Sequence, residues 1–481
     1  MTGWAAGSSL PGMIGTPSTD ACCDAPSRTV HVITHGCQMN VHDSRRIVQV
    51  LARLGYRETP DPAGADLILI NTCSVRARPE NKVLGTLARL RPLKESRPGM
   101  KIAVCGCVAQ QHGRELLDRV PWLDLVFGPD RIPDLPGMIR DLDEGSRVAV
   151  TGQDDPEDYR FLPVDPSSEP GPTAFVTVTK GCNRFCSYCI VPFVRGREAS
   201  KPPDMLVREI RGLVSAGVRE VTLLGQNVNA WGRGLPGEPR FADLLETVAA
   251  IPGLRRIRFV TSHPADAEDR LLDLFGSLPN LAPYLHLPVQ AGSDAVLQRM
   301  HRGYTAAHYL GRLERVRRAC PDIALSTDVI VGFPGETRED FQATLALVRE
   351  ARFDGMFSFA YSPRPGTAAA RWPDDVPAGE KAARLAELQA LQDGITASRM
   401  ERYRGRELDV LVEGPTRDAT RSREGAGDRR GEVQGRSGTN VPVHFRSDLP
   451  PERARGRMAR VLVDEILAHS LRGTLARWEE S

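Results

Sequence analysis

From Arg28 to Leu142, short apolar runs alternate with stretches whose apolar residues recur at helical spacing. Val30–Thr34 (VHVIT), Asp66–Asn71 (DLILIN), Lys101–Cys105 (KIAVC) and Leu123–Phe127 predict four strands. Between them, Val41–Leu54 repeats Ile47, Val50, Leu51 and Leu54 on one helical face, and Asn81–Leu90 and Arg114–Val120 predict two further helices. Strand–helix alternation of this kind implies an open parallel sheet with right-handed crossovers. A second series begins at Ala174 (AFVTVT) and continues with strands at Glu220–Leu224, Arg256–Thr261, Tyr284–Leu287, Ala324–Val331 and Gly355–Ala360. Six such units predict a (β/α)6 partial barrel, whose site belongs at the C-terminal ends of its strands. A polar, Ala-rich helix follows Pro363 and runs to about Glu401. The remainder is β-rich, at Glu407–Val412, Gly431–Val433, Val441–Phe445 and Ala459–Val463, and predicts a small β-barrel of nucleic-acid-binding type.

The fold class is therefore α/β, with an N-terminal parallel sheet, a central partial barrel and a C-terminal small β-barrel. Breaks in the pattern divide the chain at residues 1–27 (a disordered tail), 28–145, 146–170 (an acidic linker rich in Pro and Ser), 171–400, 401–470 and 471–481 (a second tail). The loop Asp418–Arg430 is highly charged and is expected to be disordered.

Composition changes this picture little. The 481 residues are 41% hydrophobic and 26% charged, with ample chain for a buried core. A net charge of +2 excludes a strong global field for nucleic acid, so any such contact is local. Lys occurs only at 82, 94, 101, 180, 201 and 381, so the basic residues are mostly Arg. Arg suits phosphates and base planes, although genomic composition accounts for the same excess. The first residues lack the basic start and apolar stretch of a signal peptide, and Met13 is a second candidate start. No run has the length of a membrane span, so a cytoplasmic protein is expected.

The ten Cys change it more. Disulfides are not expected in a large chain without a secretion signal. Cys182-Asn-Arg-Phe-Cys186-Ser-Tyr-Cys189 is a C-x3-C-x2-C run just after the first barrel strand. Three close thiolates hold three irons of a [4Fe–4S] cluster and leave the fourth open. Zinc, by contrast, favours four ligands in paired C-x2-C. Cys37, Cys73 and Cys107 each follow a strand of the first domain, 36 and 34 residues apart. Residues just beyond adjacent parallel strands converge in one crevice, so these three form a second candidate cluster site. Three buried small hydrophobes are the plainer alternative. Cys105 shares a strand face with Cys107, which is expected in the loop; Cys22, Cys23 and Cys320 are expected to be inert.

These motifs resemble the radical S-adenosylmethionine (SAM) superfamily and, taken together, its methylthiotransferase family. The resemblance spans about residues 28–470 and rests on THGCQMNVHDS (34–44), INTCSVR (70–76), KGCNRFCSYCIVPFVRGRE (180–198), LLGQNVNAWG (223–232), LHLPVQAGSDAVL (285–297), DVIVGFPGET (328–337) and YSPRPGT (361–367). Among its members the chain looks most like the MiaB type. The resemblance implies a 4Fe–4S cluster with exchangeable SAM on Cys182, Cys186 and Cys189, the catalytic centre, and an auxiliary 4Fe–4S cluster on Cys37, Cys73 and Cys107. It also implies SAM contacts at Tyr188, Gly225, Gln226, Asn227 and Gly332, and a TRAM-like RNA-holding module for residues 401–470. Ala77 and Pro79 depart from the pattern after the second Cys, and Gly435–Phe445 lacks an expected Arg or two, for which Arg402, Arg404 and Arg406 are candidate substitutes.

The implied activity is insertion of sulfur and methyl at C2 of N6-dimethylallyladenosine beside a tRNA anticodon, chemistry that a radical performs and side-chain acid–base groups do not. A different tRNA adenosine or a ribosomal protein is the alternative substrate, and a non-catalytic metal-containing RNA-binding protein the alternative class. The target base must leave its stack, which costs little in a single-stranded loop, and Tyr188, Phe193 or Trp231 is a candidate to receive it. A small electron donor such as a flavodoxin or ferredoxin, a sulfur donor, a monomeric state and no membrane complete the expected partners.

Overall fold

The computed structural model describes residues 28–74, 77–168, 171–416 and 431–479. The expected N-terminal tail with Cys22 and Cys23, and the charged loop Asp418–Arg430, lie outside the described residues. So do Val75 and Arg76, which precede the departures at Ala77 and Pro79.

Six parallel strands form the first domain: β1 (Arg28–His35), β2 (Tyr56–Glu58), β3 (Leu67–Thr72), β4 (Lys101–Gly106), β5 (Leu125–Phe127) and β6 (Val148–Val150), in the order β2-β1-β3-β4-β5-β6. Four were expected. β2, with one apolar residue in three, carries no alternation, and β6 falls in the acidic run read as linker. The continuous apolar runs of β3 and β4 are buried on both faces, as parallel strands between helices are. Leu67, Leu69 and Ala103 pack on one side; Ile68, Ile70, Ile102 and Val104 pack on the other. Each fully buried aliphatic contributes about 1.5–3 kcal/mol.

The expected linker is not a free spacer. Beyond β6, Tyr159 and Phe161 sit under the ammonium groups of Lys180 and Lys201, and the Val164 amide donates to Glu209. One of its acidic residues, Asp154, pairs with Arg131.

The centre starts with β7 (Thr173–Thr177). A short antiparallel pair, β8 (Thr179–Lys180) and β9 (Ala199–Ser200), brackets the cysteine loop. Then follow β10 (Glu220–Leu224), β11 (Arg256–Phe259), β12 (Tyr284–His286), β13 (Ala324–Val331) and β14 (Gly355–Ala360). They form two parallel three-stranded sets, β11-β10-β7 and β12-β13-β14, joined by a parallel bridge from Ile257 to Leu281. This is the expected six-stranded partial barrel. One apolar core unites its strands with the helices outside them.

The C-terminal domain is a closed five-stranded barrel: β15 (Glu407–Pro415), β16 (Glu432–Ser437), β17 (Pro442–Arg446), β18 (Met458–Ile466) and β19 (Leu471–Trp478), in the order β15-β16-β17-β19-β18. The segment expected to be a tail from residue 471 is thus a strand, corrected by its pairing with both β17 and β18. Its sequence, LRGTLARW, lacks a clear two-residue alternation, which hid it. The β16–β17 turn docks at the lower end of the central sheet. There Arg256 and Arg258, both paired with Glu220, donate to the carbonyls of Arg436, Ser437 and Gly438.

Candidate functional site

β1, β3 and β4 are neighbours, and their carboxyl ends are in register, His35 opposite Thr72 and Thr72 opposite Gly106. Cys73 and Cys107 lie one residue past that line and Cys37 two past it. The chain reverses its direction of strand addition between β1 and β3, the point at which open α/β sheets form a crevice. Cys37 caps the helix Gln38–Ala52. Cys107 opens the helix Cys107–Arg119 rather than lying in a loop, because β4 runs on through Gly106. Cys105 points into the core, where burial drives its thiol pKa well up.

The three side chains meet. Cys73 is within hydrogen-bonding reach of both Cys37 and Cys107, and this contact draws Cys37 down to about 6 and Cys107 down to about 7. The thiol of Cys73 itself is driven the other way by its two neighbours. Arg195, from the helix Val191–Arg195 of the central domain, adds to the effect. Its Nε donates to Cys107 Sγ at 3.3 Å while its other end pairs with Asp43 at 2.7 Å.

Cys182, Cys186 and Cys189 lie on the loop between β8 and β9. Gly181, at φ +75°, starts that loop, and its amide donates to Gln226 Oε1 at 2.5 Å. Burial pushes Cys182 up to about 11 and Cys189 up to about 12. Arg302 approaches from β12's side and donates to Cys186 Sγ at 3.4 Å. The two cysteine groups are adjacent, since Cys107 packs on Ile190 and Val194, the former next to Cys189.

A cavity of about 630 Å³ opens at the carboxyl ends of the barrel strands, lined by Cys182, Cys186 and Cys189. Of the expected SAM contacts, Tyr188, Gln226 and Asn227 line it. Gly225 and Gly332 are not among its lining residues. Gly225 packs against Thr179, and Gly332, at φ +69°, lies on the stem of Lys381, its amide bonded to Glu336. Asn227 Oδ1, Ser262 Oγ, His263 Nε2 and the Tyr361 hydroxyl are buried and without hydrogen-bond partners, and all four belong to lining residues. Buried polar atoms are seldom left so, and a ligand bearing both donors and acceptors fits this set. His263 Nδ1 accepts from the Ala265 amide at 3.2 Å, so the neutral ring carries its hydrogen on Nε2. Burial, then Arg302 and Arg184, hold that ring neutral, its pKa down to about 2.

Several of these groups were not foreseen. Asp266 receives Arg184, Arg233 and Asn227 at the cavity edge, and burial lifts the nearby Glu198 to about 7. Arg195 and Glu198 sit in a run already conspicuous in the sequence, but nothing local signals His263 or that Arg302 reaches a cysteine. Of the stacking candidates, Trp231 is corrected: it is core, its Nε1 donating to the Lys201 carbonyl. Phe193 is exposed, as is Phe185, which had not been singled out. Arg402 pairs with Asp354 at a largely buried site, and Arg404 and Arg406 form exposed pairs with Glu401 and Asp322.

Residues 29–128 match the family model described as uncharacterized protein family UPF0004, and residues 176–348 match the radical SAM superfamily. The solved radical SAM methyltransferase TsrM from Kitasatospora setae, with cobalamin and a [4Fe-4S] cluster bound, shares the fold at a TM-score of 0.53 and 16% identity, covering 72% of this chain and 77% of that one. Fold and site define a radical SAM enzyme. More specifically, the chain is 49% identical over 389 residues to the tRNA-2-methylthio-N(6)-dimethylallyladenosine synthase of Citrifermentans bemidjiense, covering 81% of this chain and 88% of that one. The enzymes of that name from Syntrophotalea carbinolica (48%, 87% and 93%) and Anaeromyxobacter sp. strain K (49%, 94% and 95%) are equally similar. The chain belongs to the tRNA-2-methylthio-N(6)-dimethylallyladenosine synthase family of methylthiotransferases.

Proposed function

We propose that this enzyme transfers a methylthio group to C2 of N6-dimethylallyladenosine beside the anticodon of tRNA, and that its two cysteine triads divide the work. The observation that carries this reading is the packing of Cys107 on Ile190 and Val194, which sets the triads side by side. Cys182, Cys186 and Cys189 would hold one [4Fe–4S] cluster and, with Asn227, Ser262 and His263, SAM. Cys37, Cys73 and Cys107 would hold the auxiliary cluster. Their thiols suit this role, being free of disulfides and, at Cys37 and Cys107, disposed to ionise near neutral pH. When bound, these groups supply the radical that breaks an aromatic C–H bond and the sulfur that replaces it.

The chain's own residues do the rest. His263 offers a neutral N–H donor, and Asn227 Oδ1 an acceptor, to whatever lies in the cavity. The exposed rings of Phe185 and Phe193 are available to stack a base drawn out of a loop, at about 1–3 kcal/mol per base. The five-stranded barrel serves as the TRAM-like RNA module, a monomer acting in the cytoplasm with a flavodoxin- or ferredoxin-like electron donor. Among the described residues no helix is long and apolar enough to cross a membrane.

The test is an anaerobic reaction of reconstituted protein with SAM, a reductant and tRNA bearing the dimethylallyl group, followed by mass spectrometry of the nucleosides. A 2-methylthio product that requires SAM is expected. Modification of unprenylated tRNA instead would transfer the reading to another adenosine.

A further inference from the structure

Both triads are approached by a buried arginine, but the two arginines differ in their company. Arg195 donates to Cys107 Sγ and is neutralised by Asp43 at 2.7 Å. Arg302 is 5% exposed and donates from Nη1 to Cys186 Sγ at 3.4 Å and to the Tyr188 hydroxyl at 3.4 Å. Its Nε donates to the Tyr304 hydroxyl at 2.9 Å and its Nη2 to the Pro288 carbonyl at 2.8 Å, and its plane lies over the Tyr304 ring. None of these partners is a carboxylate. Asp266 pairs with Arg184 and Arg233, and Asp328 with His286; Glu198, whose carboxylate lies near Asp266, is not among the groups that act on Arg302. A guanidinium cannot lose its proton, so a full positive charge stays buried against one cysteine sulfur.

An uncompensated buried cation costs several kcal/mol unless something negative answers it. The sulfur it meets here is that of Cys186, a cluster-ligand position in the reading above. Hydrogen bonds to cluster sulfurs and nearby positive charge both raise a cluster's reduction potential, because reduction adds negative charge. At the other triad the cation is paired with Asp43, whose negative charge opposes that effect.

We propose that Arg302 is a charge-setting residue that acts through the Cys186 sulfur, making the site on Cys182, Cys186 and Cys189 easier to reduce than it would be without that cation, while the Arg195–Asp43 pair leaves the auxiliary site near neutral. Arg302, which also lines the cavity, is thus a positioning residue that acts on electrons through the Cys186 sulfur. The inference rests on the two-cluster reading above.

The experiment uses the full chain in a Cys73→Ala background, where one cluster site is left, with iron and sulfide content measured first. The midpoint potential is then read by electron paramagnetic resonance in a redox titration. Arg302→Gln, which keeps a donor but no charge, is expected to lower the potential, and Arg302→Lys, which restores the charge, to recover most of the loss. An unchanged potential in cluster-loaded Arg302→Gln overturns the proposal. So does loss of iron from both Arg302 variants, which would show a purely structural role. Loss of iron from Arg302→Gln alone, with Arg302→Lys still loaded, supports it, since only the charge differs in kind. A parent Cys73→Ala protein that binds no iron would instead defeat the two-cluster reading.

Discussion

At the scale of single residues, the two triads are electrostatically unlike. Cys37 and Cys107 are drawn down by a shared contact with Cys73 and by Arg195, whereas burial pushes Cys182 and Cys189 up. In metal-free protein the exposed Cys37 should therefore alkylate with a midpoint near pH 6, and Cys73→Ala should move that midpoint upward. A second titration belongs to Glu198. Its two carboxylate oxygens are buried without partners, and burial raises its pKa from 4.5 to about 7. An acid whose pKa is raised by folding binds more protons folded than unfolded between those two values, so it lowers stability as pH rises through that window. Glu198→Gln should be more stable than the parent at pH 8 by up to about 3 kcal/mol and so melt higher, and the difference should vanish near pH 4.5. Thermal melts at the two pH values measure this. The thiols were legible in the sequence because cysteine spacing survives without knowledge of the fold. Their cationic neighbours were not, since Arg302 lies 116 positions from the sulfur it meets.

At the scale of elements, the strand-to-loop junctions aim the cysteines. Gly106 at φ +90° and Gly181 at φ +75° each precede a triad member in a conformation that side chains resist. A methyl group on Gly181 would strike the carbonyl oxygens of Arg197, reached from β9, and of Gly196. Gly181→Ala should thus cost about 2 kcal/mol or more and displace the loop on which Cys182, Cys186 and Cys189 sit. Iron content should fall by about half if the other triad still loads; a full complement of iron would show that the loop tolerates the change. Elements with strong periodicity, such as the LILI run of β3, were readable. β2, β6 and β19 were not, because three-residue strands and an Arg-interrupted strand are fixed by their neighbours in the sheet, not by their own pattern.

At the scale of the whole molecule, three domains are joined by buried polar contacts. Arg195 and Asp43 tie the first to the second, and Glu220 with Arg256 and Arg258 ties the second to the β-barrel. Removing Glu220 leaves two buried guanidinium groups without their acid, at a cost of about 3–5 kcal/mol. Glu220→Ala should free the barrel to move, seen as faster proteolysis between the domains and a raised KM for tRNA with SAM cleavage retained. Unchanged proteolysis and KM would mean that the carbonyl contacts alone hold the domain. The order of the domains was plain in the sequence. Their contacts were not, because they are made between residues far apart in the sequence, as Arg195 with Asp43 and Arg258 with Ser437 illustrate.

The central claim is that two neighbouring triads perform separate parts of one methylthiolation. Its most direct test compares Cys182→Ala and Cys73→Ala with the parent, counting both 5′-deoxyadenosine released from SAM and 2-methylthio nucleoside formed in tRNA. Cys182→Ala should give neither, and Cys73→Ala should give 5′-deoxyadenosine without methylthio product; full product from either single variant would contradict the division of labour.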